Sequence, residues 1–225
     1  MRFGKKLRNS VYPKWNGQYM DYAKLKGMLR ENEEDDSRWT ENDENKFCDE
    51  ILNVQLEKVA AFQQETFKSL EQRANSCADK LKDLVPEDGK AKGDITTGRF
   101  KEIETELDEI INETKELKKY SNINYTAFLK IVKKHDRKRG NNYKIRPMML
   151  MSLSKRQFNT ESGYSPLLNK LSIMYYAVRQ QLDESEATPA TSASEAQSQI
   201  QNGERYTAYK CKPPCLYGFP IADHL

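Results

Sequence analysis

The sequence of 225 residues contains no long apolar run, and that removes several functions at once. No stretch approaches the roughly 18 apolar residues of a bilayer-spanning helix, so no direct membrane span is expected in this chain. The opening Met1-Arg2-Phe3-Gly4-Lys5-Lys6 lacks the apolar segment of a secretory signal, which points to the cytoplasm. Histidine is nearly absent. His135 and His224 are too few for a paired-histidine metal site or for a nucleophile with a histidine base. A glycine-rich phosphate loop is also missing. No catalytic residue, metal or cofactor is therefore assigned, and any catalysis is expected in another domain or subunit.

Cysteine is scarce as well. Cys48 and Cys77 fall within helical patterns, while Cys211 and Cys215 sit in a proline-rich stretch where His224 is the one further candidate ligand. Few, scattered thiols read as the reduced cysteines of a cytosolic protein. Only 37% of the residues are apolar and 32% are charged, which suits an elongated helical domain better than a thick globular core.

Charge is abundant and unevenly placed, which the net value of +3 conceals. Residues 1–30 carry eight Lys/Arg against one Asp, and residues 120–184 carry twelve against four acidic residues. Between them, residues 40–119 have a net charge of −7. Two basic stripes stand out: Tyr22, Lys24, Lys26 and Arg30, then Lys130, Lys133, Lys134, Arg137 and Lys138. The spacing of the second stripe places its cations on one helix face, where like charges are unfavourable unless an anion compensates them. Two local basic blocks in a near-neutral chain indicate a compact anion. Nucleic acid would need a continuous basic track, and the acidic middle would repel it.

Apolar periodicity predicts an all-α fold. Residues 3–11, stopped by Pro13, and residues 19–29 form an N-terminal helical hairpin. Thr40 offers an N-cap with Asp43 and Glu44 in the first turn. Leu56, Ala60, Gln63, Phe67, Leu70, Ala74, Cys77, Leu81 and Leu84 then make a seam that lasts until Pro86. Residues 86–98 read as a loop. Ile103, Leu107, Ile110, Thr114 and Leu117 repeat the same rhythm, so two long helices should pack antiparallel in an elongated bundle.

Residues 122–124 are expected to bend or interrupt the second long helix before Phe128, Leu129, Ile131 and Val132 supply its buried side. His135 reads as a helix-surface residue, and Met148, Met149 and Met151 as core filler on a short helix. Ser165-Pro166 marks the start of a last helix running to Leu182. Residues 1–184 then form one domain, and residues 185–225, rich in Ala, Ser, Thr and Gln, a largely disordered linker or tail.

Three ordered blocks carry a family resemblance. They are Met1-Arg2-Phe3-Gly4-Lys5-Lys6-Leu7 with Tyr12-Pro13, Trp15, Tyr19, Tyr22 and Leu25-Lys26; Asn124-Tyr125 and Phe128 with Lys130-Ile131-Val132-Lys133-Lys134-His135-Asp136; and Ser165-Pro166-Leu167-Leu168. Together they resemble SPX domains over residues 1 to about 184. Within that family the opening looks most like accessory subunits of the fungal vacuolar transporter chaperone, the membrane complex that makes polyphosphate.

The resemblance implies a sensor of inositol polyphosphates or inositol pyrophosphates. Such a domain reports cellular phosphate status and regulates an attached or partner protein at the cytosolic face of the vacuole membrane. In the family, a tyrosine and a lysine of the second helix join lysines of the later helix in holding phosphates. Those roles carry over to Tyr22, Lys26, Lys130, Lys133 and Lys134, with Arg137 in the place of another frequent lysine. Arg2 stands where lysine is usual, retaining charge but presenting a planar fork instead of a point charge. The same cations also suit a phosphoinositide headgroup, and the long hairpin a partner helix, so a membrane-surface or coiled-coil interaction module is the alternative.

Overall fold

The computed structural model describes residues 3–29, 39–84, 94–139, 144–156 and 161–186, and among them the chain is all-α. Arg2, Arg30 and the tail expected beyond the last helix lie outside the described residues. Helix α1 (Phe3–Asn9) leads to a 3-10 turn at Pro13–Trp15 and then to α2 (Tyr22–Met28). Pro13 thus starts a turn as well as stopping a helix. Tyr19 precedes α2, whose N-cap is Asp21.

Thr40 caps α3 (Glu41–Asp49) as its chemistry predicts, exchanging hydrogen bonds with Asp43 in a capping box. A π-helical stretch, Glu50–Leu56, joins α3 to α4 (Glu57–Leu84). The reason is visible in the burial pattern. Ile51 and Leu56 are both buried, yet a regular α-helix would set residues five apart about 140° around its axis. The wider π turn brings positions i and i+5 onto one side.

Helix α5 (Asp94–Arg139) is followed by α6 (Arg146–Lys155) and α7 (Glu161–Glu186). Cross-contacts fix the directions. Near one end of the pair, the Tyr120 hydroxyl reaches the Val59 carbonyl at 3.4 Å, and further along Arg73 bonds Glu106 and Glu113 at 2.7 Å. Numbers rise along α4 as they fall along α5, so the two are antiparallel. Helix α7 is also antiparallel to α5, with Tyr164 against Ser121 and Arg179 against Glu104. The seam closes with Leu70, Ala74 and Cys77 on α4, Ile103, Leu107 and Ile110 on α5, and Leu171, Val178 and Leu182 on α7. Each fully buried leucine or isoleucine contributes about 1.5–3 kcal/mol.

Four expectations are corrected. Helix α5 begins at Asp94, inside the expected loop, because Phe100 and Ile103 are buried and draw the preceding turn into the helix. Residues 122–124 do not interrupt α5, since Asn124 is buried and donates Nδ2–H to the Tyr120 carbonyl at 2.9 Å. Helix α7 starts before Ser165-Pro166. Tyr164, bonded to Ser121 and to Gln63, holds that first turn in place, and Pro166 sits near enough to the helix start to lose only one backbone bond. On α6, Met149 is buried with Ile145 and Leu153 at four-residue spacing, whereas Met148 and Met151 are exposed.

His135 is the fifth correction. It is fully buried, its ring stacked on Phe47 with centroids 5.0 Å apart. Its Nε2 lies 2.9 and 3.0 Å from the two oxygens of buried Glu44, and its Nδ1 lies 3.0 Å from Asp136 Oδ1. Glu44 also accepts from Trp39 Nε1 at 3.0 Å and from Cys48 Sγ at 3.5 Å. Asp136 accepts the N–H groups of Ile145 and Arg146, supplying acceptors for the start of α6. One imidazole therefore ties α3 to α5 and, through its neighbour, to α6. Burial and the Glu44 carboxylate push the Cys48 thiol up to about 12.

Two outcomes follow. His135→Leu removes a hydrogen bond to a buried carboxylate and should cost about 2 kcal/mol or more in urea unfolding. Alkylation of Cys48 by iodoacetamide in the folded protein should stay slow up to about pH 10, because the thiolate is scarce below the raised pKa. Rapid labelling near pH 8 would contradict that environment.

Candidate functional site

Residues 16–21 connect the 3-10 turn to α2 outside any regular ladder, so their buried backbone groups need partners from elsewhere. The long helices supply them. Tyr120 donates its hydroxyl to the Gln18 carbonyl at 2.9 Å, and Asn124 Oδ1 accepts the Met20 N–H at 2.9 Å. Gln55 Oε1, on the π stretch, accepts the Asp21 N–H at 2.9 Å. Lys58 Nζ donates to the carbonyls of Tyr19 at 2.8 Å and Gly17 at 3.3 Å. Gly17 has φ +92°, a conformation that side-chain-bearing residues rarely adopt. Beneath the segment, Tyr120 meets the rings of Tyr19 and Trp15 edge-on, with centroids 4.7 and 6.0 Å away. Asp21 Oδ1 then accepts the Lys24 N–H at 2.8 Å and starts α2.

This arrangement leaves a cleft of about 1120 Å³ bordered by α1, residues 16–21 and α2, with α4 and α5 each contributing a side chain. Five cations line it: Lys5 and Arg8 from α1, Lys26 from α2, Lys58 from α4 and Lys134 from α5. Asp21 is the single carboxylate among the described lining residues. Tyr22 lines the cleft with its ring packed edge-on to Phe3 at 5.2 Å. Burial pushes its phenol up, which keeps it a neutral O–H donor. Burial lowers Lys58, partly offset by the attraction of Asp21 and Glu50. Lys24, by contrast, pairs with Glu50 at 2.7 Å. Burial alone would raise the Glu50 carboxyl, but hydrogen bonds from Lys24 and Gln55 hold it below its ordinary value.

Tyr22, Lys26 and Lys134, singled out from the sequence, line this one cleft, so the two basic blocks do meet in space. Lys130 sits close by, its Nζ 5.4 Å from the centre of the Phe3 ring. Lys133 and Arg137 are exposed on α5 and are not among the described lining residues. One residue turns an α-helix by about 100°, which carries Lys133 away from the direction of Lys134. Arg2 lies outside the described residues.

Sequence reasoning did not single out Arg8 or Lys58 and took Lys5 only as part of the opening block. Lys5 and Arg8 carry a faint signal, a three-residue spacing on one face of a short helix. Lys58 carries none, because it lies between Glu57 and Val59 in the acidic part of the chain. Among the described residues no group of His, Cys, Asp and Glu side chains could hold a metal ion, and no helix is long and apolar enough to cross a membrane.

No protein-family model matches the chain. It is 33% identical over 208 residues to vacuolar transporter chaperone complex subunit 2 of Saccharomyces cerevisiae, covering 90% of this chain and 24% of that protein. It is 32% identical over 179 residues to subunit 4 of the same complex in Schizosaccharomyces pombe, covering 80% of this chain and 24% of that protein. The chain thus spans about a quarter of the length of these two relatives. Among solved structures it resembles the SPX domain of Chaetomium thermophilum glycerophosphodiester phosphodiesterase 1, solved in complex with inositol hexakisphosphate. The TM-score is 0.63 at 22% identity, covering 80% of this chain and 99% of that one. Sequence and fold agree: the chain is a homologue of subunits 2 and 4 of the vacuolar transporter chaperone complex, and it has the fold of an SPX domain.

Proposed function

We propose that the cleft binds an inositol polyphosphate or inositol pyrophosphate and that the domain reports this ligand to an attached or partner protein. The observation that carries the reading is the convergence of Lys5, Arg8, Lys26, Lys58 and Lys134, from four helices, on a cleft that Tyr22 also lines and in which Asp21 is the single carboxylate among the described lining residues. A highly phosphorylated ring concentrates many charges on a small rigid frame, and cations arriving from several directions match that geometry. The ligand named for the Chaetomium domain of the same fold belongs to this class.

Tyr22 donates a neutral hydrogen bond while Lys26 and Lys134 neutralise phosphates from opposite blocks of the sequence. Lys130 extends the site along α5, Lys133 and Arg137 supply outer charge, and the family resemblance adds Arg2 as a further cation. Like charges on α1, α2 and α5 repel each other, and a bound polyanion offsets that repulsion. Binding therefore favours the arrangement in which these elements stand together, a population shift driven by differential affinity. The domain itself is non-catalytic in this reading. Its output is regulation of a polyphosphate-making complex at the cytosolic face of the vacuole membrane, in which other subunits are its partners.

Calorimetric titration with inositol hexakisphosphate at fixed salt tests the site. The combined variant Tyr22→Phe, Lys26→Ala, Lys134→Ala should lose about 100-fold in affinity, since each contact contributes on the order of 1 kcal/mol, while far-UV circular dichroism stays unchanged. Affinity of the unmodified protein should fall as salt rises, because exposed charges are screened. A variant that binds as well as the parent removes the site assignment. Preferential capture by phosphoinositide vesicles over the soluble ligand would replace it with a membrane-surface role.

A further inference from the structure

Lys58 is joined to two things at once. It lines the cleft, and it bonds the carbonyls of Tyr19 and Gly17 at 2.8 and 3.3 Å, fastening α4 to the segment that precedes α2. The other side chains that bond this segment, Tyr120, Asn124 and Gln55, are neutral. Lys58 is partly buried, and its charged environment consists of Asp21 and Glu50, which attract it, and Lys24, which repels it. Burying part of an ammonium group is unfavourable unless hydrogen bonds compensate, and the two carbonyls provide that compensation. Two residues beyond Tyr19 stands Asp21, the N-cap of α2, and directly after it Tyr22, with Lys26 one helical turn further.

We propose that Lys58 is a positioning residue for the anion site: by clamping the carbonyls of Gly17 and Tyr19 it holds the start of α2, and so aims Tyr22 and Lys26 into the cleft shared with Lys134. This rests on the reading of the cleft as a polyphosphate site. The neutral partners fix the segment against the core, and Lys58 fixes its cleft side. A positioned turn presents the tyrosine hydroxyl and the lysine together, and an unclamped one presents them in many relative orientations.

Lys58→Met, which retains the alkyl chain and removes the donors, tests this in two ways. In the ligand-free protein, amide hydrogen exchange over residues 19–25 should rise severalfold while the amides of α5 keep their protection. Unchanged exchange over residues 19–25 would overturn the clamp. In titrations with inositol hexakisphosphate at fixed salt, Lys58→Met should lose roughly tenfold in affinity, about the effect of one charge-assisted hydrogen bond.

The same substitution placed on a Tyr22→Phe, Lys26→Ala background should change the remaining affinity by about threefold or less, the share of one screened cleft charge, because the groups it aims are gone. A second full tenfold loss on that background would overturn positioning and show that Lys58 touches the ligand directly. Should Lys58→Met lose helical content, Lys58→Leu, which also lacks a donor, replaces it with the same expectations. Failure of the parent protein to bind the ligand would refute the polyphosphate reading, and the exchange measurement would still decide the clamp.

Discussion

The cleft depends on how a handful of backbone groups between the 3-10 turn and α2 find hydrogen-bond partners. Residues 17–21 belong to no ladder, and an unpaired buried amide or carbonyl would cost about 1–3 kcal/mol. Tyr120, Asn124, Gln55 and Lys58 meet that demand from α5, the π stretch and α4. The direction of α2 follows from these bonds. Tyr22 and Lys26 line the same cleft as Lys134, and side chains more than thirty residues away in sequence hold the segment from which their helix begins.

The π stretch belongs to the same arrangement. It allows Ile51 and Leu56 to be buried together, and within it Gln55 accepts from Asp21 while donating to Glu50 at 2.7 Å. Glu50 in turn holds Lys24. Lys24 of the first basic stripe is thereby paired with Glu50, and Lys26 of the same stripe lines the cleft. Acidic residues of the long hairpin are occupied in a comparable way: Glu106, Glu109 and Glu113 surround the Arg73 guanidinium. Exposed ion pairs contribute little one at a time, about 1 kcal/mol or less, but three carboxylates on one planar cation also set the register of α4 against α5. A chain of net charge +3 thus keeps its positive charge concentrated where two basic blocks approach.

Legibility divided along local and non-local lines. The Thr40 N-cap, the α4 and α5 seam and the burial of Phe128, Ile131 and Val132 were readable, since each rests on spacings within a few turns. His135 was misread because nothing around it in sequence announces Glu44, which lies 91 residues earlier. Asn124 looked like a helix breaker until Met20 supplied a donor for it. The methionines of α6 could not be sorted by hydrophobicity, as only the face carrying Ile145, Met149 and Leu153 meets the core. Of the cleft, Tyr22, Lys26 and Lys134 were named from sequence and family resemblance, whereas Arg8 and Lys58 were not.

By itself, the sequence determined that this is a helical protein with a long antiparallel seam and two concentrations of positive charge. Helical periodicity and charge blocks are properties of contiguous residues, and they survive without knowledge of the fold. The tertiary structure alone decided which cations share a cleft, which lysine is paired with Glu50, and that a histidine on a charged stretch lies at the centre of a buried network. Those outcomes depend on the angular position of each side chain around its helix and on what a distant element places opposite it.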